Sequence, residues 1–185
     1  MPRQLLLMRH AKSDWNVPGL SDKDRPLNAR GKSTAPTMAT WLFEHGLIPD
    51  LILCSSAVRT SQTLALMIGQ WESLRLTNPS LSFPKTSIED KLYLASDSDI
   101  LSIARSIAID HPIEDSLSIM VLGHNPGMEI LASTLCETSI EMPTGAIAVL
   151  TSNALGDDWP EDWRKPKLWS LRGLVKPREL GRETI

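Results

Sequence analysis

Short, uninterrupted apolar runs recur along the chain, and each predicts a buried strand. Gln4–Met8, Asp50–Cys54 and Ser118–Leu122 are apolar from their second residue onward, without the alternation of a strand that has one face in water. Ala146–Thr151 predicts a further strand. Strands of this kind belong to a sheet that is covered by helices on both faces.

Between these runs the apolar residues follow a helical period. Asn28 is the candidate N-cap of the first helix, and Pro36 is expected to kink that helix or to move its start. Ser55 or Ser56 is the candidate cap of the second helix. The predicted helices run over about residues 28–45, 57–70, 97–110 and 125–136.

Three stretches follow neither period. Residues 12–25 are polar and predict a loop over the end of the first strand, whereas residues 71–84 predict an excursion over the surface. The tail from about residue 156 carries tryptophans among charged residues and prolines. We expect them to cover a sheet edge, and a partner-binding surface is the alternative. These tryptophans are Trp159, Trp163 and Trp169.

The alternation of strands with helices indicates the fold class. It predicts an α/β fold with three layers (α/β/α), in which a mostly parallel central sheet lies between helices. A chain of 185 residues is long enough for one well-buried domain. We therefore expect a single domain over residues 1–185, with the tail packing on it or extending it.

Composition and charge narrow the functional classes. With 42% hydrophobic and 22% charged residues and a net charge of −3, the chain predicts neither a nucleic-acid partner nor a membrane partner. Cys54 and Cys136 have no metal-binding or redox spacing, which favours free thiols in a reducing compartment. Leu5–Met8 is too short for the core of a secretory signal, and no run approaches the roughly 20 apolar residues of a membrane span. We expect a cytoplasmic protein.

Cationic and imidazole side chains follow the predicted strands directly. Arg9 and His10 come after the first apolar run, and His124 follows the third, so the sheet should bring them to one edge, where α/β folds bind ligands. Arg59 lies in the first turn of the second helix, where a positive charge is unfavourable unless an anion is nearby. With Ser56 at that helix N-terminus, these groups predict a phosphate pocket. Two histidines without a third ligand at recognisable spacing disfavour a metal site.

Three segments resemble the motifs of the histidine phosphatase superfamily, which has the phosphoglycerate-mutase-like fold. They are Arg9-His10-Ala11-Lys12-Ser13, the segment from Ser55 to Thr63 (Ser-Ser-Ala-Val-Arg-Thr-Ser-Gln-Thr), and Gly123-His124-Asn125-Pro126-Gly127. Asp24-Arg25-Pro26-Leu27 and Pro177-Arg178-Glu179-Leu180 are similar to its small SixA-like phosphohistidine phosphatase branch. The resemblance spans about residues 3–150 and, more loosely, the tail, and the order of the motifs is specific.

The resemblance implies a two-step phosphoryl transfer without a metal or a cofactor. His10 would be the nucleophile and would form a phosphohistidine intermediate that water hydrolyses. Arg9 and Arg59 would hold the phosphoryl oxygens, and His124 would donate a hydrogen bond in its charged form. The two guanidinium groups would lower the pKa of the nucleophile and keep it neutral, and a backbone carbonyl would have to fix its tautomer. Further substrate contacts are expected from Arg25, Ser56 and Asn125.

A general acid is harder to identify. Superfamily members that cleave phosphate esters use a carboxylic acid to protonate the leaving alkoxide, and the candidates here are Glu89 and Asp90, just before the strand or loop predicted at Lys91–Ala95. Imidazole is a better leaving group than an alkoxide and needs less help from an acid. The lack of a clear acid therefore favours phosphohistidine, or another activated phosphoryl group, as the substrate.

The leading hypothesis is therefore a metal-independent phosphohistidine phosphatase. Its partner would be a phosphorylated protein or a small phosphorylated molecule. A small-molecule phosphomonoesterase or mutase that uses His10 is the first alternative, and a phosphoryl-binding module without turnover is the second.

Overall fold

In the computed structural model the described residues are 3–110, 118–154, 162–165 and 167–180, and they form six strands and five helices. The strands are β1 (Gln4–Arg9), β2 (Leu51–Ser55), β3 (Lys85–Glu89), β4 (Ser118–Gly123), β5 (Ile147–Ser152) and β6 (Trp169–Val175). The helices are α1 (Ala29–Glu44), α2 (Val58–Arg75), α3 (Asp97–Asp110), α4 (Gly127–Leu135) and α5 (Pro177–Leu180). A single 3-10 turn, Asp90–Leu92, follows β3.

The strands form one mostly parallel sheet in the order β3-β2-β4-β1-β5-β6. Strands β1 to β4 are parallel, whereas β5 is antiparallel to β1 and β6 is antiparallel to β5. β4 lies between β1 and β2, with Arg9 opposite Gly123 and Cys54 opposite Leu122. The carboxyl ends of β1, β4 and β2 therefore lie side by side at one edge of the sheet.

Different helices cover the two faces of the sheet. From β1, Leu5 and Leu7 pack into a core shared with α3 and α4, while Leu6 and Met8 pack into a core shared with α1 and α2. All four side chains are fully buried, and burial of one such side chain contributes about 1.5–3 kcal/mol to folding. The predicted α/β fold with three layers is confirmed.

The first helix begins where its cap predicts. The Asn28 side chain accepts a hydrogen bond from the Gly31 N–H at 2.9 Å, and α1 starts at Ala29. Pro36 lies inside this helix and does not move its start. The Asn28 cap is therefore confirmed, because it satisfies a backbone N–H that has no partner within the helix.

The second helix differs from the prediction at both ends. Neither Ser55 nor Ser56 caps it, since the N-cap is Ala57, which makes no capping side-chain hydrogen bond. The helix also continues to Arg75, so the surface excursion predicted for residues 71–84 is wrong over residues 71–75. Trp71 is fully buried against α1, and its indole Nε1 donates to the Ala39 carbonyl at 2.9 Å. Because Trp71 packs against α1, the helix continues past residue 70, where the sequence pattern predicted its end.

The two edge strands were not predicted. β3 consists largely of polar and exposed residues, and β6 lacks the continuous burial of the inner strands. An edge strand needs no continuous apolar run, because one of its sides stays open to water and polar residues there prevent further pairing. The apolar-run criterion therefore finds only the four inner strands.

Two of the three tryptophans of the tail, Trp163 and Trp169, pack into the molecule. Trp169 belongs to edge strand β6, and Trp163 lies in the core shared with α3 and α4. Their ring centroids are 5.5 Å apart, and the Trp169 Nε1 donates to the Trp163 carbonyl at 2.9 Å. Trp159 lies outside the described residues. None of the helices within them is long and apolar enough to cross a bilayer.

The start of α4 requires a residue without a side chain. A methyl group on Gly127 would overlap the Ala95 carbonyl oxygen and lie 2.9 Å from the Ile100 Cδ1 atom. We expect Gly127→Ala to destabilise the protein by about 1–3 kcal/mol through overpacking. In α2, Gly69 has free space around it, and Gly69→Ala should stabilise by about 0.5–1 kcal/mol. Urea unfolding measures the stability of both variants. Equal changes in stability would contradict the predicted overlap of a residue-127 methyl group with the Ala95 carbonyl.

Candidate active site

The ends of three neighbouring strands bring the predicted site residues together. His10 follows β1, His124 follows β4, and Arg59 lies in the first turn of α2, which follows β2. The ring centroids of His10 and His124 are 5.1 Å apart, and the Arg59 Nε donates to the His10 Nε2 at 3.2 Å. All three side chains are buried. Two imidazoles and a guanidinium thus share one enclosed site.

Hydrogen bonds at both ring nitrogens fix the tautomer of His10. Its Nδ1 lies 2.7 Å from the Ala11 carbonyl oxygen, which can only accept, so Nδ1 carries the proton. Its Nε2 accepts from the Arg59 Nε–H, so this nitrogen carries the lone pair. The structure supplies the backbone carbonyl that a tautomer-locked nucleophile requires.

Burial keeps His10 neutral. It lowers the pKa of this imidazole to about 4, and the charges of Arg59, Arg9 and Arg25 act in the same direction, while the Ala11 carbonyl opposes them. An imidazole in this environment is unprotonated at physiological pH. It has the charge state that nucleophilic attack needs.

His124 is held neutral in a similar way. Burial lowers its pKa to about 3, and a positive charge on His10 or Arg59 lowers it further, whereas Asp22 raises it. Its Nε2 lies 2.8 Å from the Ser55 Oγ, and its Nδ1 is buried without a hydrogen-bond partner among the described residues. Its ring meets the ring of Tyr93 edge-on, with the centroids 5.5 Å apart. An anion bound at this site would favour its protonated form.

Arg9 and Asn125 both contact the loop that follows α4. The Arg9 Nη1 donates to the Met142 carbonyl at 2.9 Å, and the Asn125 Nδ2 donates to the same oxygen at 3.1 Å. The Asn125 Nδ2 also donates to the Glu129 carboxylate at 3.1 Å. Burial lowers the pKa of Arg9, and the nearby charge of Glu129 raises it. The charge of Arg9 lowers the pKa values of His10 and His124, whereas the substrate contact predicted for Asn125 stays a prediction.

Arg25 lies beside the site, and its predicted contact with the substrate stays a prediction. Its Nη1 donates to the Ser13 Oγ at 2.8 Å, and its Nε and Nη2 donate to the Asp22 Oδ1 at 3.0 and 2.7 Å. Its Cζ atom stacks 3.5 Å from the centroid of the Trp15 ring. These contacts fix its guanidinium at the rim of the site.

Asp22 is a site residue that the sequence analysis missed. Its Oδ2 accepts from the Arg59 Nη2 at 3.0 Å and from the Tyr93 hydroxyl at 2.7 Å. Partial burial opposes its ionisation, but the hydrogen bonds from Tyr93 and Arg25 and the charge of Arg59 lower its pKa to about 2. Asp22 is therefore a carboxylate at neutral pH. The only indication in the sequence was that Asp22 lies three residues before Arg25, and Asp24 is closer still to that arginine along the chain.

The two predicted acid candidates lie at the end of β3. The Glu89 Oε1 accepts from the Ser87 hydroxyl at 2.6 Å. Asp90 is exposed and forms an ion pair of 3.1 Å with Lys23. The Ser56 hydroxyl, followed by Lys23, lowers the pKa of Asp90. This environment opposes the protonated form that a general acid needs, and the role of either carboxyl stays a prediction.

Ser56 lies beside the acid candidate Asp90 rather than at a helix cap. The predicted helix N-terminus is nevertheless close to the site, because Arg59 lies in its first turn. Within the part of the chain that the structure describes, no group of three or more His, Cys, Asp or Glu side chains could hold a metal ion.

Comparisons with known proteins point to one family. The family model described as histidine phosphatase superfamily (branch 1) matches residues 5–81. An uncharacterized chloroplastic protein of Arabidopsis thaliana is 36% identical over 177 residues, which cover 95% of this chain and 78% of that protein.

Two solved structures share the fold. A SixA protein of Agrobacterium tumefaciens, assigned as a phosphohistidine phosphatase, matches with a TM-score of 0.72 and 27% identity, covering 96% of this chain and all of that one (100%). The protein histidine phosphatase SixA in complex with tungstate matches with a TM-score of 0.71 and 23% identity, covering 96% and 99%. At that identity the second likeness concerns the fold alone.

Two buried neutral histidines should make the protein sensitive to acid. In the unfolded chain they bind protons near pH 6.5, whereas in the folded protein the pKa values of His10 and His124 are about 4 and 3. Stability should therefore fall as the pH is lowered from 6.5 toward 4, by up to ~1.4 kcal/mol per pH unit for each histidine. Urea unfolding at several pH values measures this slope.

Glutamine variants test whether His10 and His124 cause this dependence of the unfolding free energy on pH. His10→Gln and His124→Gln should each flatten it between pH 6.5 and 4. The contribution of Asp22 lies in a lower window, because its pKa of about 2 means that its stabilisation is lost only below its ordinary value of 3.8. An unchanged slope in both glutamine variants would contradict the buried neutral state.

Proposed function

Because the chain belongs to the histidine phosphatase superfamily, in its SixA-like branch, and is a phosphatase or mutase of that superfamily, we propose that it hydrolyses phosphohistidine. The observation that carries the proposal is the state of His10, a buried neutral imidazole whose Nε2 lone pair lies beside the Arg59 guanidinium. A nucleophile for phosphorus needs an unprotonated nitrogen and nearby positive charge, and the His10 Nε2 has both.

The first step transfers the phosphoryl group to the enzyme. The His10 Nε2 attacks phosphorus, and the bond between phosphorus and the substrate imidazole breaks. The departing imidazole is neutral when its other ring nitrogen already carries a proton, so the enzyme need not supply one. On the enzyme, the Nδ1–H keeps its bond to the Ala11 carbonyl, which stabilises the positive charge of the phosphorylated ring.

The second step returns the enzyme to its starting state. Water attacks phosphorus, the bond to Nε2 breaks, and the lone pair returns to His10 while phosphate leaves with the protons of the water. Catalysis of such transfers depends mainly on positioning and on stabilising charge at the equatorial oxygens. Arg59 and Arg9 supply guanidinium donors for these oxygens. His124 would take up a proton when the dianion binds, since the opposite charge raises its pKa.

The state of the carboxyl groups supports phosphohistidine over phosphate esters. The pKa of Asp22 is lowered to about 2, and that of Asp90 is also lowered, so both are ionised at neutral pH. An alkoxide leaving group needs a proton in the transition state, and a neutral imidazole does not. A site rich in cations and poor in protonated carboxyls therefore suits a phosphoramidate. The SixA protein of similar fold carries the same assignment.

Substrate comparison tests the proposal directly. We expect kcat/KM for a phosphohistidine peptide to exceed that for a matched phosphoserine peptide and for a sugar phosphate by about 10²-fold or more. Ester hydrolysis loses at least this factor when no general acid protonates the leaving group. His10→Ala should lower turnover by on the order of 10³-fold or more and abolish the covalent intermediate. Mass spectrometry after an alkaline quench detects that intermediate. Phosphate binding without turnover or intermediate would instead indicate a binding module.

The acid candidates distinguish the esterase or mutase alternative. Glu89→Gln and Asp90→Asn should leave phosphohistidine hydrolysis within about twofold of the wild type, since general-acid catalysis is worth about 10²–10⁴-fold only where it is used. The measurement is steady-state turnover of both substrate classes by each variant. A steep loss of ester hydrolysis in either variant, with an ester as the better wild-type substrate, would favour the alternative.

A further inference from the structure

The donors that a phosphoryl group needs are already occupied by the protein's own acceptors. The Arg59 Nη1 donates to the backbone carbonyl of Asp22 at 2.5 Å, and the Arg59 Nη2 donates to its carboxylate at 3.0 Å. The third nitrogen, Nε, donates to His10. At the start of the same helix, the Val58 N–H donates to the Lys23 carbonyl at 3.0 Å. Residues 22 and 23 therefore supply the acceptors that an anion would supply.

Three separate parts of the chain hold the Asp22 carboxylate. Arg59 comes from α2, Arg25 from the loop before α1, and Tyr93 from the turn after the 3-10 helix. We call the space between these three side chains the anion position. It is next to the nucleophile, because Arg59 contacts both Asp22 and His10.

A carboxylate and a phosphoryl group present similar oxygen pairs to a guanidinium fork. Both cannot use the terminal nitrogens of Arg59 together, because like charges at hydrogen-bond distance of one donor repel strongly. The Asp22 side chain is 43% exposed, whereas the Arg59 side chain is 2% exposed. Asp22 can therefore move into water when a dianion arrives, and Arg59 stays in place.

We propose that Asp22 occupies the anion position in the empty site and is displaced by the incoming phosphoryl group, so that it lowers the affinity of the site for phosphoryl ligands. The inference rests on the proposed function only in taking a phosphoryl group as the ligand of Arg59. Displacement costs binding free energy for every ligand. A phosphoryl group attached to a larger substrate offsets this cost with other contacts, and free phosphate has no such contacts. Asp22 thus weakens product binding and favours product release.

The Asp22→Asn variant tests the proposal, because asparagine keeps the shape and removes the charge. We expect inorganic phosphate to bind the full-length variant about tenfold more tightly or better, since a hydrogen-bonded competing charge is lost. Isothermal titration with inorganic phosphate at about 0.15 M salt measures this without any turnover, under conditions in which distant charges are screened. In turnover assays, KM and the phosphate inhibition constant should fall together, without a matching rise in kcat.

Two further variants control for charge and for folding. Asp24→Asn removes the same charge from the same segment, but Asp24 pairs with Ser21 and has no bond to Arg59, so phosphate affinity should be unchanged. Tyr93→Phe removes only the hydroxyl that anchors Asp22 and should tighten phosphate binding in the same direction by a smaller factor. It tests the proposal even where Asp22→Asn folds poorly.

The possible outcomes separate this inference from the proposed function. Weaker or unchanged phosphate binding in both Asp22→Asn and Tyr93→Phe would overturn it and would assign Asp22 the role of positioning Arg59. A tenfold gain that Asp24→Asn shares would overturn it as well, because the effect would then be one of general charge. Absence of phosphohistidine turnover in the wild type would contradict the proposed function alone, since the titration still reports on Asp22.

Discussion

The hydrogen bond between Arg59 and His10 is the interaction on which the site depends. Arg59 is almost fully buried, and a buried guanidinium is tolerated only where the protein satisfies its donors. Its Nε–H donates to the Nε2 lone pair of His10, and its two terminal nitrogens donate to the carbonyl and the carboxylate of Asp22. The same cation therefore helps to keep the imidazole neutral, orients its lone pair and offers donors to an anion. Chemistry and fold stability are coupled in this one side chain.

This contact exists because β4 lies between β1 and β2 in a parallel arrangement. Residues that directly follow three neighbouring strands must then meet at one edge. The inner strands are continuous apolar runs, so the meeting of His10, Arg59 and His124 could be predicted from the sequence. The three-layer class could be predicted from the same runs.

Other features depend on contacts between distant segments and left no local pattern. β3 and β6 are edge strands whose polar residues resemble those of loops, and the last turn of α2 is fixed by burial of Trp71 against α1. Asp22 is one of several acidic residues in a polar loop. Only the folded chain shows that this carboxylate, and not that of Asp24, reaches Arg59 and Tyr93. The pairing of edge strands and the contacts of Asp22 are formed between distant segments, so the periodicity of the sequence does not predict them.

The bond from the His10 Nδ1–H to the Ala11 carbonyl also determines regiochemistry. An imidazole ring has two nitrogens that could accept phosphorus, and here one is permanently committed to the backbone. A ring flip would break this bond and the one from Arg59 together. In the proposed mechanism, a phosphoryl group accepted by His10 would therefore be carried on Nε2, as the tele isomer rather than the pros isomer.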